Sequence, residues 1–464
     1  MSDEALKPAP ESYSAPIAAL ASGQGAGAIA MIRLSGSGVH ALLRRCLPPG
    51  PIWPERMLRK CQLTDPATGS VVDDAMVVFF TGPRSYTGED SAEIHCHGGA
   101  YIIQSVLALL YRLGCRPAEP GEFTRRAFLH GKLDLTAAEG IRELIDAQSH
   151  QQWVAARHLA SGQLKLAIDS LRHTLVGALA FLEAQIDFPD EGDTAHLHLG
   201  MVRQRALAVR TEIERLAASY SSGRVASQGL MVALFGAPNA GKSTLMNSLL
   251  GRQRAIVTEH AGTTRDYLEE RCLVHGRLLR LVDMAGIRAP DTSIDPVEAL
   301  GIEAARRLAS EADLVLFLAP ADSDVDPSPQ IASWRAELQP RAYLQIATKA
   351  DLRQPSWPGP WLSLSCRSGE GLDALRQALA DQVDTYVGGL NQEQAFVTSA
   401  RHQAALQDAH AALTRFFAAD AAGAYEELLA FELQEAAKAL VAIVGRVGNE
   451  DVLDRIFSEF CVGK

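Results

Sequence analysis

The sequence predicts a mixed α/β and α protein. It reads as an N-terminal α/β domain and a helical domain in two pieces, with a doubly wound, mostly parallel α/β domain inserted between the pieces. Three observations predict this. Short apolar runs broken by Gly and Pro fill residues 17–117. A helical apolar periodicity then takes over and returns beyond residue 392. Between the two, from Gly229, strand-type apolar runs alternate with helical stretches. The expected boundaries are 1–121, 122–226, 227–387 and 388–464, and the two helical stretches are expected to pack as one discontinuous domain.

Residues 2–13 read as a loose arm. Residues 28–36 and 74–82, with β-branched and aromatic content, read as strands, and residues 39–47 and 101–113 as helices. Leu164, Ile168, Leu171, Leu175, Leu179, Leu182 and Ile186 recur at three- and four-residue spacing, one apolar helix face. Pro189 in IDFPDEGD breaks it, and residues 201–220 carry a second such face. The strands of the inserted domain read as LMVALFG, LLRLVDMAG, DLVLFLA, AYLQIATKAD and WLSLS.

Composition narrows the class. The chain has 464 residues, 47% of them hydrophobic, enough for several packed cores. Its 44 Lys and Arg against 55 Asp and Glu leave a net charge of −11, so nucleic acid can be held only through a local basic patch or a partner. The seven cysteines are scattered, with no C-x-x-C pair, which favours a reducing, cytoplasmic compartment over a disulfide framework or zinc ribbon. No secretory leader and no membrane-length apolar run is visible.

GAPNAGKS, residues 236–243, follows an apolar strand and precedes a helix, as a phosphate-binding loop requires. Glycines let backbone N–H groups curl around phosphate oxygens, and the helix N-terminus adds partial positive charge. Asn239, Ala240, Gly241, Lys242, Ser243 and Thr244 form this loop. Lys242 is placed to reach the β/γ-phosphates and Ser243 to ligate Mg²⁺. Asp283 ends the VDMAG strand, and the Gly286 N–H can meet a γ-phosphate. Thr263 and Thr264 lie where a switch loop belongs, Thr264 as a second Mg²⁺ hydroxyl. In TKAD, Thr348, Lys349 and Asp351 end a later strand; Asp351 can accept from guanine N1–H and the 2-amino group, a pattern adenine lacks. Ser365 and Cys366, in SCRS, can support the guanine O6 through backbone N–H groups. The four motifs together predict GTP binding. Met284 stands where Thr is usual and Thr348 where Asn is usual, a Thr still able to tether the loop.

Small G proteins orient the attacking water with a Gln directly after D-x-x-G. Here Ile287 occupies that position and has no hydrogen-bonding group. Glu298 and Glu303 in VEALGIE are candidate replacements, although both also fit an ordinary solvated helix face. Arg265 and Arg288 are candidate charges in place of an arginine finger. A monovalent cation is another route, with Asn239 and the loop 258–263 supplying oxygens; Asn239 equally suits a left-handed turn.

GAPNAGKST, EHAGTTRD, SYTGED, PGEFTRRAF, KLDL, AQIDFPDE and the terminal CVGK together resemble the MnmE (TrmE) family of tRNA-modification GTPases, from about residue 17 to residue 464. The resemblance implies an N-terminal folate-binding, dimerising domain, a two-segment helical domain and an inserted G domain. It implies a homodimer working with an FAD-dependent partner, MnmG (GidA), as a heterotetramer on tRNA, adding a carboxymethylaminomethyl-type group at C5 of the wobble uridine. Hydrolysis would be stimulated by K⁺ through G-domain dimerisation, with Asn239, Thr258, the His260 backbone and Thr263 as K⁺ ligands and Glu298 orienting the water network. His260 replaces an apolar residue of the family pattern, and the segment between Gly286 and Glu298 is a few residues longer than in some relatives. A reduced folate (5-formyl- or methylene-tetrahydrofolate) would be held by Arg33, Glu93, Lys132 and Lys464, with Glu93 gripping the pterin edge and Arg33 and Lys132 meeting the tail carboxylates. Cys461 reads equally as a one-carbon or redox participant and as a packing cysteine.

The alternative function is a regulatory or ribosome-assembly GTPase without one-carbon chemistry. His95 and His97 share one face of an alternating strand, but two histidines with no third ligand nearby argue against a metal site.

Overall fold

The computed structural model describes residues 15–23, 25, 27–49, 53–187, 195–251, 269–283, 307–391, 393–445 and 450–464. The chain divides into two compact units, Met1–Arg142 with Val441–Lys464, and Glu143–Leu440.

The first unit is built on β1 (Ile17–Leu20), β2 (Ile29–Ser35), α1 (Val39–Arg44), β3 (Arg59–Thr64), β4 (Val71–Phe80), β5 (Ser91–His97), α2 (Ala100–Arg112), β6 (Arg116–Pro117), α3 (Glu122–Leu129) and the start of α4 (Leu135–Asp146). Its sheet runs β3-β4-β5-β2-β1-β6 and is antiparallel except for the β1–β6 pair. Alternation sets the core: Ile32 and Leu34 of β2, Val77 of β4 and Ile94 of β5 face Val39 and Leu43 of α1 and Val106 and Leu109 of α2. The C-terminal helix Glu450–Ser458 returns to this unit, where Leu453, Ile456 and Phe457 pack with Phe128, Leu135 and Ala138.

The second unit contains α5 (His150–Ala160), α6 (Gln163–Asp187), α7 (Ala195–Ala218), α8 (Tyr220–Gln228), β7 (Leu230–Gly236), α9 (Lys242–Leu250), β8 (Glu269–Val274), β9 (Arg277–Asp283), β10 (Leu314–Pro320), α10 (Ser328–Leu338), β11 (Tyr343–Thr348), β12 (Trp361–Ser363), α11 (Leu372–Val387), α12 (Ala400–Ala421) and most of α13 (Glu426–Val444). Along α6 the apolar face read from the sequence is buried from Leu164 to Leu182, and Ile186 is half-buried. α7 packs against both α6 and α12. The sheet order is β12-β11-β10-β7-β9-β8, parallel throughout except for the β8–β9 hairpin. This is the doubly wound, mostly parallel domain expected from the sequence. The hairpin turns at His275 and Gly276, both at positive φ (47° and 75°), where Gly pays no Cβ penalty. α8 enters this sheet through a buried tie: Arg224 hydrogen-bonds Asp313 Oδ1, and Asp313 Oδ2 accepts the Met231 N–H at 2.9 Å. Among the described residues no helix is long and apolar enough to cross a membrane.

The first unit also buries charge. Glu122 and Arg126, each 1% exposed, pair at 2.9 Å one turn apart. Arg126 also reaches Glu89 at 3.0 Å, and Glu122 accepts from Arg116 at 2.7 Å and from the Glu119 N–H at 3.0 Å. Burial by itself raises the Glu122 pKa, but the donors from Arg116, the Glu119 backbone and Arg126 outweigh it and leave the carboxyl below its usual range. Its contribution to stability is therefore complete above the unfolded-state pKa and is lost as pH falls through the lower folded value. Glu122→Ala removes one of the two carboxylates that face the buried Arg126 guanidinium and is expected to cost about 3 kcal/mol. Chemical denaturation at neutral and acid pH checks this: the deficit against the unaltered chain shrinks on acidification.

Candidate active site

The phosphate loop joins β7 to α9. Its curl needs backbone that most residues avoid: Asn239 sits at φ 65° and Gly241 at φ 90°. Gly236 is required for a different reason, since a Cβ there would lie 2.5 Å from the Leu318 carbonyl oxygen. The positive φ of Asn239 is the left-handed turn read for it from the sequence. The Lys242 ammonium donates to the Gly236 carbonyl at 2.8 Å and to the Ala237 carbonyl at 3.1 Å. Burial lowers its pKa, and the negative charge of Asp283 opposes this. Ser243 Oγ donates to Asp283 Oδ2 at 3.3 Å, so a hydroxyl and a carboxylate converge at the helix start. This hard-oxygen pair suits Mg²⁺.

Thr348 does what its position required. Its Oγ1 donates to the Ala240 carbonyl at 2.7 Å, tying the end of β11 to the phosphate loop. A cavity of about 860 Å³ opens over the loop, and Ser243, Thr244, Lys349, Asp351, Cys366 and Trp334 are among the residues that line it. Lys349, at φ 57°, sends its ammonium to Asp322 at 3.3 Å. The SCRS turn assigns its own donors. Ser365 Oγ accepts the N–H groups of Arg367 and Ser368 at 3.2 Å each, and the Ser365 N–H goes to the Glu370 carbonyl at 2.9 Å. Cys366 N–H is the one backbone donor from Ser365 to Ser368 with no acceptor among the described residues. Burial pushes the Cys366 thiol up, and a bond with Ser248 draws it back in part.

Asp322 and Trp334 were not visible as site residues in the sequence. Trp334 packs edge-on against Phe235, with ring centroids 4.8 Å apart, and nothing in its local sequence marks it as cavity-lining. Thr258, His260, Thr263, Thr264, Arg265, Met284, Gly286, Ile287, Arg288, Glu298 and Glu303 lie outside the described residues.

A second cluster lies in the first unit. Arg33 and Glu93 face each other across the β2–β5 pair, and Arg33 Nε and Nη2 both donate to Glu93 Oε1, at 3.1 and 2.9 Å. The guanidinium also stands 5.3 Å from the Tyr86 ring centroid. The chain terminus is brought to them. Phe123 N–H donates to the Lys464 carbonyl at 3.1 Å, and Val462 bridges to Pro120. Gly463, at φ 96°, lets the tail close on β1, since a Cβ there would lie 2.1 Å from the Leu20 carbonyl oxygen. Lys464 is half-buried; burial first, then the nearby Arg33 charge, lowers its pKa, while Cys461 and Glu93 oppose this. Arg33, Glu93 and Lys464 therefore form one group. Lys132 instead donates to the Pro83 carbonyl at 2.8 Å. Cys461 is exposed, with its carbonyl accepting the Gly121 N–H at 3.4 Å. Of the two histidines on β5, His97 Nδ1 lies 2.7 Å from Asp73 and His95 Nε2 lies 3.7 Å from Glu93.

The model of the MnmE helical domain matches residues 135–461, and that of the GTP-binding protein TrmE N-terminus matches residues 16–132. The chain belongs to the MnmE family. It is 44% identical to the tRNA modification GTPase MnmE of Methylobacterium sp. (strain 4-46), over 97% of this chain and 99% of that protein. It is 42% identical to the MnmE of Methylorubrum populi, over 97% and 98%, and 38% identical to that of Thermus thermophilus, over 97% and 99%. The crystal structure of the G domain of the T. maritima FeoB iron transporter covers 33% of this chain and 98% of that one, at 23% identity and a TM-score of 0.24, too low to carry a fold assignment. As a member of the MnmE family the chain binds and hydrolyses GTP.

Asp351 gives this site a sharp test. Asp351→Asn replaces an acceptor-only group by one that also donates, which suits a base with a carbonyl where guanine carries its amino group. The variant is expected to lose at least about 100-fold in GTP affinity and to gain affinity for xanthosine triphosphate. Competition binding with the two nucleotides measures both changes.

Proposed function

We propose that this chain is the GTP-hydrolysing subunit of a tRNA-modifying enzyme. With an FAD-dependent MnmG partner, in a heterotetramer, it installs a carboxymethylaminomethyl-type group at C5 of the wobble uridine. The observation that carries this reading is the full-length likeness to tRNA modification GTPases, 97% of the chain against 99% of the first relative. The reading places the protein in the cytoplasm, as a homodimer through its N-terminal domain. It also makes 122–226 and 388–464 one helical domain around the inserted G domain; the packing of α12 on α7 supports this.

In this reading the triphosphate lies along the amide-lined loop at the start of α9, with Lys242 moving from loop carbonyls to phosphate oxygens. Ser243 and Thr264 hold Mg²⁺, whose charge offsets that of the phosphates. Asn239, Thr258, the His260 carbonyl and Thr263 hold K⁺, and Glu298 orders the water network. Arg288 is the candidate extra charge. Arg33, Glu93, Lys132 and Lys464 bind the folate. The Arg33–Glu93 pair bears on that last assignment: Glu93 Oε2, 3.7 Å from His95 Nε2, is the oxygen left for a pterin edge, while Arg33, with Nε and Nη2 on Glu93 Oε1, keeps Nη1 for a tail carboxylate. Cys461 stands near Lys464 and is exposed, which suits a one-carbon or redox participant better than a packing cysteine.

Nucleoside mass spectrometry of bulk tRNA tests the proposal. Cells lacking the protein should lose the modified wobble uridine, an unaltered copy should restore it, and a Lys242→Ala copy should not. Unchanged modification in the deleted cells overturns it. The cation assignment has its own readout. GTP turnover should be higher in K⁺ than in Na⁺ at matched ionic strength, and Glu298→Ala should lower it by about 100-fold or more.

A further inference from the structure

The chain is acidic overall, yet one surface of the first unit is not. From Arg44 to Lys60 the sequence holds five cations and a single acid, Glu55. The fold sets three of these cations, Arg44, Arg56 and Arg59, against the rings of Trp53, Phe79 and Phe80, the last two of which end β4. Arg44 lies 6.0 Å from the Phe79 ring centroid, Arg59 lies 5.7 Å from Trp53, and Trp53 meets Phe79 edge-on at 5.8 Å. Arg56 lies 6.0 Å from Phe80, its backbone N–H donates to the Phe79 carbonyl at 2.9 Å, and its guanidinium donates to the Arg84 carbonyl. Arg45 adjoins Arg44 and is exposed. Arg84 pairs with Glu55 at 3.6 Å, and Arg44, Arg45, Arg56 and Arg59 have no carboxylate partner among the described residues.

A protein of net charge −11 has acids to spare for pairing. Four guanidinium groups kept free of them, three of them held against aromatic rings, form a pre-ordered cationic surface. All five members are arginine. Its planar fork of donors matches phosphate oxygens in a bidentate way that an ammonium does not. The cluster answers the restriction set by composition, that a polyanion can be held only on a local basic patch.

We propose that Arg44, Arg45, Arg56, Arg59 and Arg84 form a binding surface for the phosphate backbone of RNA, and that the RNA is the tRNA substrate. The second part rests on the function proposed above. Contacts of this kind position the RNA and carry no sequence information, so recognition of the target base belongs elsewhere.

The experiment uses the full-length protein, unfractionated tRNA and a salt series. Arg44→Gln/Arg56→Gln/Arg59→Gln should bind tRNA about tenfold or more weakly, with a log K against log salt plot shallower by about 2. GTP turnover and the unfolding midpoint of the same samples should stay at the wild-type values. Arg45→Gln, which disturbs no ring contact, should by itself reduce the slope by about 1. This variant keeps the test open should the triple variant fold poorly. Wild-type affinity and slope in both variants overturn the surface. Loss of a bound protein with tRNA affinity intact also overturns it, making the patch a protein interface. If the unaltered chain binds no tRNA, the function proposed above falls with it, a result the variants cannot mimic.

Discussion

The second unit turns on a buried ammonium that neutral atoms satisfy. Lys242 is 9% exposed, and its partners are two loop carbonyls rather than a carboxylate. The carbonyls solvate the charge but do not cancel it. The same contacts draw the loop into its curl beneath the cavity that its residues line. A cation in that condition, at the start of a helix whose N-terminus is also positive, favours an anion at one place. The positive φ at Asn239 and Gly241, the bare Cα of Gly236 against β10 and the Thr348 tether are all conditions for holding it there.

The first unit solves the opposite problem. Arg126 is more deeply buried than Lys242, but it faces two carboxylates, Glu122 and Glu89. Its charge is cancelled where it stands, so it holds α3 in place and offers nothing to a ligand. Arg33 lies between these cases. It pairs with one carboxylate, has a second cation nearby in Lys464 and has an aromatic face beside it. The pair is half-buried, and the Lys464 ammonium stands close enough to feel both of its charges.

The nucleotide site was legible because its chemistry is local. A phosphate loop is one short segment with fixed glycine positions, and Asp351, which lines the same cavity, follows its strand directly. Even the departure at Thr348 could be interpreted, because the tether needs only a short side chain with a donor. Asp322 was missed because it reaches Lys349 from the end of a neighbouring strand. β8 was missed too, as its run carries Glu, Arg and Cys among the apolar residues, and only the His-Gly turn after it signals a hairpin.

Periodicity and motif spacing report what the backbone does over one or two turns, and from these the sequence by itself determined the helices, the parallel strands, the phosphate loop and the choice of guanine. Tertiary structure decided which distant residues meet. Arg33 and Glu93 are 60 positions apart and pair because strand register sets them opposite one another. The terminal lysine reaches them because Gly463 lets the tail close against β1. The arginines around Phe79 and Phe80 became one surface for the same reason: an exposed cation has no local pattern, and only the folded chain shows which cations share a face and which have been left without an acid.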